Sequence, residues 1–289
     1  MSVNPEFLVK IQRRQEERKA SFTKLASANV LDDAARQIVE LDTVELIQQL
    51  QSRKLTATQV LKAYIAKALE LTGRVNCVTE FIPQAFEWAS KLDGLDTVAG
   101  PLHGLPIAVK EDHDVEDWIQ PWALQNYSTN PQKRMRLCEN PIYGQTLNSI
   151  NEKMAPGGSS SGSASIVAGN GAPIAIGSDV GGSVRIPAFF HGLCSLRPTI
   201  RRLTEEGVLQ CLPEVDAQRG VPGFIAKNAE ALSLVWKAIL GNKIQNDFDA
   251  LTVPIPWNET LFSSTRKLTI GYFTSLAYFP AFPDVKKLF

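Results

Sequence analysis

The sequence predicts an α/β fold. Amphipathic helical periods fill much of the first third, and short apolar runs of strand length appear at Ile107–Val109 and Leu268–Phe273. Between them, an apolar run is enclosed by two glycine- and serine-rich loops. The chain has 289 residues, 44% of them hydrophobic and 21% charged, so it can bury the core of one large domain or two small ones. Lys+Arg and Asp+Glu both total 30, and no basic stripe breaks that balance, which argues against a nucleic-acid partner.

Taken in order, the chain opens on Ile11–Lys19, a run of strong helix formers with few apolar positions. Acidic residues are interleaved with its basic ones, so it reads as a solvated helix face rather than a membrane-binding one. Residues 1–30 are therefore expected to be a charged helical lead. Ser21-x-x-Lys24 resembles the first motif of penicillin-recognising enzymes but lacks its companions and carries no weight.

Leu41–Leu50 and Thr56–Leu71 repeat apolar residues at helical spacing. Thr56 or Thr58 supplies the N-cap of the second, and Gly73 is expected to stop it. Val75–Ile82 reads as a short strand and Gln84–Leu92 as a further helix. Gly100–Lys110 combines a Pro/Gly turn with a buried strand, Ile107-Ala108-Val109, that ends at Lys110. From this segment alone, Lys110 followed by Glu111 and Asp112 marks a strand reaching water. Asp117–Asn140, with Trp118 and Trp122, has no period of either kind, and so long an irregular stretch is unusual inside a domain. Later come a helix at Ala229–Leu240, a loop at Asn246–Thr260 and the start of a helix near Asp284.

Cys77, Cys138, Cys194 and Cys211 show no metal-ligand spacing and read as reduced thiols of an intracellular protein. No secretion signal is read at the N-terminus, so the sequons at Asn126 and Asn258 are taken as chance. No apolar run reaches the length of a membrane span.

The loops that enclose the apolar run carry the chemistry. Pro156–Ser165 and Gly177–Pro187 each contain a Gly-Gly-Ser. A flexible linker would not interleave with Ile166, Val167, Ala172, Ile174, Ala175 and Ile176. A phosphate-binding loop needs a Gly-Lys-Ser/Thr that is missing. Gly158-Ser159-Ser160-Ser161-Gly162 matches a nucleophile elbow, but no strand precedes it and His191 is the only later histidine. The remaining reading has both loops facing one pocket. The N–H groups of Val180, Gly181, Gly182 and Ser183 would then form an oxyanion hole, with Ser183 as nucleophile. With no histidine well placed in sequence, a lysine is the alternative base. It must be neutral to act, against a reference pKa of about 10.4.

These motifs resemble the amidase signature family. The resemblance rests on Gly157-Gly-Ser-Ser160, Gly177-x-Asp-x-Gly-Gly-Ser-x-Arg-x-Pro187, Leu196-Arg-Pro-Thr199, the Ser159-to-Ser183 spacing and Pro101–Lys110. It extends to the fatty acid amide hydrolase branch through Asn76–Thr79, Val109–Glu111, Asn140–Thr146 and Leu268–Tyr272. It implies a mixed central sheet covered by helices, with residues 31–289 forming a partial amidase-signature domain. It further implies a Ser-Ser-Lys triad with an acyl-enzyme: Lys110 the base, Ser159 the proton bridge and Ser183 the nucleophile. The peptide before Ser159 is expected to be cis. Asp179 and Arg185 would pair behind the loop, and Ser160 would support the lysine and the backbone. No metal or cofactor is implied. The implied substrate is a small, lipid-like amide, with cytoplasmic or membrane-peripheral placement, and a homodimer fits the resemblance.

The chain departs from the family in three ways. Ser161 stands where a glycine is usual. The connection from Lys110 to Ser159 lacks a helix–strand unit, its two flanks being joined near Asn130–Arg136. The resemblance further implies that the sequence starts after the transmembrane helix that vertebrate members carry and stops before the second half of the family's sheet, its acyl-chain tunnel and its membrane-contacting helices. The rival readings are therefore a catalytically inactive amidase-like chain and the amide-transferring subunit of a glutaminyl-tRNA-forming complex.

Overall fold

A computed structural model describes residues 5–115, 138–209, 219–271, 273, 275–276, 278–280 and 282–287. Two compact units are present, Met1–Pro256 and Trp257–Phe289. Of the irregular Asp117–Asn140 stretch, residues 117–137, with Trp118, Trp122 and the Asn130–Arg136 junction, lie outside the described residues, as does Cys211.

The first unit begins with five helices: α1 (Pro5–Ala28), α2 (Asp33–Glu40), α3 (Thr43–Gln51), α4 (Ala57–Val75) and α5 (Ala85–Asp93). Leu41 falls in the break between α2 and α3, whose N-cap is Asp42. α4 starts with a capping box in which Thr56 and Gln59 satisfy each other's backbone N–H groups. Asp93 then takes the N–H groups of Ala57 and Thr58 at 2.6 and 3.0 Å. Gly73 does not stop the helix. A side chain there would meet nothing, so the position imposes no turn, and α4 continues to Asn76 in the left-handed region. An apolar cluster of Ala35, Val39, Leu46, Leu50, Val60, Ala63 and Tyr64 binds α2, α3 and α4.

Residues 76–82 form no strand, although Val75–Ile82 has strand composition. Their backbone groups find side chains instead: Thr72 Oγ1 accepts from Val78 N–H at 2.9 Å, and Arg18 donates to Val78 O at 2.5 Å. This also changes the reading of α1 as merely solvated. Arg14 pairs with Glu80, Gln15 donates to Ile142 O at 2.6 Å, and Phe22 meets Phe81 edge-on at 5.3 Å.

A four-stranded mixed sheet has the order β1-β4-β6-β5, formed by Ile107–Val109, Ile174–Asp179, Val221–Ala226 and Cys194–Leu196. β1 runs parallel to β4, with Val109 opposite Ile176, and the other pairs are antiparallel. A separate hairpin, β2 (Glu139–Asn140) with β3 (Gly144–Gln145), follows β1 in sequence. Helix α6 (Ser161–Ala168) covers one sheet face, where Ala164 packs with Ile225, and Ile166 and Val167 with Ala175. α7 (Arg185–Phe190) adds Val184 and Ala188 to that face. α8 (Ala229–Leu240) covers the other, with Trp236 edge-on to Phe224 at 5.7 Å. Ala229–Leu240 is the helix that the apolar period predicts. α9 (Ile244–Phe248) runs into the start of the expected Asn246–Thr260 loop.

β1 is an edge strand rather than a buried one: Ile107 is 47% exposed, and among the described residues no strand pairs with its outer side. The expected strand at Leu268–Phe273 is also not formed over residues 268–271, where Leu268 and Ile270 are exposed. The second unit contains α10 (Glu259–Phe262), the hairpin β7 (Ser275–Leu276) with β8 (Phe279–Pro280), and α11 (Pro283–Lys286). Among the described residues no helix is long and apolar enough to cross a membrane.

Candidate active site

Because β1 and β4 are parallel, their C-terminal ends reach the same edge of the sheet. Lys110 follows β1 and anchors itself to β4, donating its N–H to Ile176 O at 3.1 Å. Its amine lies 3.0 Å from Ser159 Oγ, 2.6 Å from Ser178 Oγ and 2.8 Å from Asp112 Oδ2.

The loop carrying Ser159 enters α6. Gly157 is left-handed at φ 70°, and a Cβ there would stand 2.8 Å from the Pro187 backbone, so only glycine lets these two loops touch. The Gly158–Ser159 peptide is cis. Ser160 N–H donates to Ser183 O at 3.0 Å and ties the two Gly-Gly-Ser loops together. The Ser160 hydroxyl is buried and lies 3.5 Å from Ser178 O, so its contact is with backbone rather than with the lysine. Gly177 makes room for it, since a Cβ there would come within 2.9 Å of Ser160 Cβ. Ser161 is buried in the first turn of α6, and the Cys138 thiol donates to Gly157 O at 2.9 Å.

Ser183 is half-buried at the start of α7, on a loop organised by Asp179. Asp179 is fully buried and accepts from Gly182 N–H at 2.6 Å, Val184 N–H at 3.0 Å, and Arg185 Nε and Nη2, each at 3.0 Å. Arg197 adds a donor to the Asp179 carbonyl at 3.3 Å. Burial alone would raise the Asp179 pKa; the bonds from Arg185, Gly182 and Val184 outweigh it and hold the group at about 2. Of the four N–H groups expected to face an oxyanion, that of Gly182 is thus turned to a carboxylate. Val180 and Gly181 are exposed beside it.

Three polar residues that sequence reasoning passed over complete the cluster. Ser178 bridges Lys110 and Asp112, donating its hydroxyl to Asp112 Oδ2. Asp112 does not reach water: it is 7% exposed, and its Oδ1 meets His113 Nδ1 at 2.8 Å. Burial works to raise its pKa, but the charge of Lys110 and the His113 bond prevail and keep it well below the usual carboxylate range. The signal was the acidic run after Lys110. What buries it is a distant segment: Leu209 N–H donates to Asp112 O at 2.7 Å and Asp114 N–H to Gly207 O at 2.6 Å.

His191 is engaged elsewhere, with Nδ1 2.9 Å from Pro187 O and Nε2 3.1 Å from Ser165 Oγ. Burial lowers its pKa, and it serves α6 and α7 rather than the serine loop. Among the described residues no cluster has the composition of a metal site. Cys77, Cys138 and Cys194 are free thiols, and burial pushes Cys77 up to about 12.

Comparison with known proteins adds a second line of support. A sequence profile described as Amidase matches residues 59–134 and 134–289. The two matches meet inside the 130–136 stretch where the resemblance puts the shortened connection. A vitamin D3 hydroxylase-associated protein of Gallus gallus is 33% identical over 276 residues, covering 86% of this chain and 59% of that protein. A fatty-acid amide hydrolase 1 of Sus scrofa is 30% identical over 277 residues, covering 86% and 47%. A solved fatty acid amide hydrolase superposes with a TM-score of 0.78 at 26% identity, over 88% of this chain and 54% of that one. The chain thus spans about half the length of the relatives it matches. With the profile covering most of its length, the chain belongs to the amidase family.

Proposed function

We infer that the chain hydrolyses carboxylic amides through Lys110, Ser159 and Ser183, with fatty acid amides as the substrate class. The observation that supports this most is the 3.0 Å bond between Lys110 Nζ and Ser159 Oγ. It lies beside the backbone tie from Ser160 to Ser183. In the working state the lysine is neutral and takes the Ser159 proton, while Ser159 takes that of Ser183. Ser183 Oγ bonds to the amide carbon, and the carbonyl oxygen becomes an alkoxide held by loop N–H groups of Val180, Gly181 and Ser183. Asp179, accepting from both Arg185 and the Gly182 N–H, keeps that loop in shape. Collapse breaks the C–N bond, and the leaving nitrogen takes a proton from Ser159, which is refilled from Lys110. Water then attacks the acyl ester by the same relay in reverse, releasing the acid and restoring Ser183. Water is the only co-substrate these steps require.

A lipid-like acyl group fits the apolar surroundings of the loop, where Val180, Ile186 and Phe189 are all exposed. Such a substrate favours work at a membrane surface, and light scattering of the purified chain would test for a homodimer. The rival reading, an inactive amidase-like chain, draws on the outer side of β1, which no strand among the described residues pairs. A fluorophosphonate probe separates the two. Active chain is labelled on Ser183, and Ser183→Ala loses that labelling by at least about a thousandfold. A chain with a cooperative melt that takes no label overturns the hydrolase reading.

A further inference from the structure

We propose that Asp112 is a positioning residue that aims the Lys110 amine at Ser159. This rests on Lys110 acting as the base. A neutral amine has two hydrogens and one lone pair. Ser178 gives its own hydrogen to Asp112, so its oxygen accepts one amine hydrogen from Lys110. Asp112 Oδ2 accepts the second at 2.8 Å. The remaining direction on the nitrogen points at Ser159 Oγ, 3.0 Å away, and that is where a lone pair must be to take its proton.

A carboxylate suits this task because it only accepts. It is also held firmly: His113 takes Oδ1, and Leu209 N–H binds the Asp112 carbonyl. The other charged groups near the cluster are otherwise engaged. Glu111 accepts from Asn140 at 3.1 Å, and Asp179 is paired with Arg185 and Arg197.

The test follows the rate of fluorophosphonate labelling at Ser183 against pH in the folded chain. With Asp112→Asn, the plateau falls roughly tenfold as aim is lost. Asp112→Ser, smaller and also neutral, lowers the plateau in the same way and serves if the amide variant does not fold. Asp112→Glu, which keeps an acceptor-only carboxylate, recovers part of the lost plateau. A residue that only supported the fold would lower the melting temperature together with the rate, and the carboxylate would give no rescue. A plateau equal to that of wild type in a folded Asp112→Asn or Asp112→Ser chain overturns the proposal. Wild-type chain that takes no label at any pH instead overturns the assignment of Ser183 and Lys110 on which it rests.

Discussion

The two strands that carry the candidate site are built differently. β4 is sandwiched: β6 and β1 pair with its edges, α6 covers one face, and five of its six residues are buried. β1 has three residues, none fully buried, and among the described residues one paired edge. The serine loop is fixed by a buried carboxylate that gathers the loop's own N–H groups and an arginine. The lysine is held by a single ladder bond and by what binds its side chain and the loop behind it. A site can therefore be rigid on one side and depend on polar contacts on the other. Disturbing the two sides should have unequal consequences.

The largest effect is expected from Ile225→Ala, at a fully buried position on β6 opposite Ala175: about 4 kcal/mol lost in urea unfolding. Asp179→Asn is expected to cost roughly 3 kcal/mol by removing a charged acceptor from several buried donors. It should also change the pH dependence. The folded pKa of Asp179 is depressed to about 2, so its contribution is complete above the ordinary carboxylate value and is lost as pH falls from about 4 to about 2. Stability measured over that window should fall in wild type and fall less in Asp179→Asn. Gly177→Ala is expected to cost about 2 kcal/mol, because its methyl group runs into Ser160. The smallest effect belongs to the open side: Ile107→Ala should cost less than about 1 kcal/mol, since the side chain is already half in water. A loss at Ile107 as large as that at Ile225 would show that β1's outer edge is covered in solution.

Much of this organisation is legible in local sequence. Thr56 and Gln59 mark the start of α4 because a capping box needs only four neighbouring residues. The glycine-serine motifs bring Ser159, Ser160, Asp179 and Ser183 into one segment, and the strand before Lys110 brings in the amine. What stayed hidden depends on partners remote in sequence. Val75–Ile82 and Leu268–Phe273 have strand composition, but composition does not supply a neighbouring edge. Asp112 and His113 look like surface residues until residues 207–209 close over them. Arg14 and Arg18 look solvated until the carbonyl of Val78 and the carboxylate of Glu80 face them.

The parallel register of β1 against β4 has one more consequence. Side chains on a strand alternate faces, so a shift of one residue exchanges every side chain presented at a given point. If β1 slipped by one step, the slot beside Ser159 would receive Glu111 or Val109, an acid or a hydrocarbon in place of an amine. Only three residue pairs, Ile107 with Ile174, Ala108 with Ala175 and Val109 with Ile176, set that register. The identity of the group facing Ser159 is thus fixed by backbone alignment as much as by which residue the sequence carries.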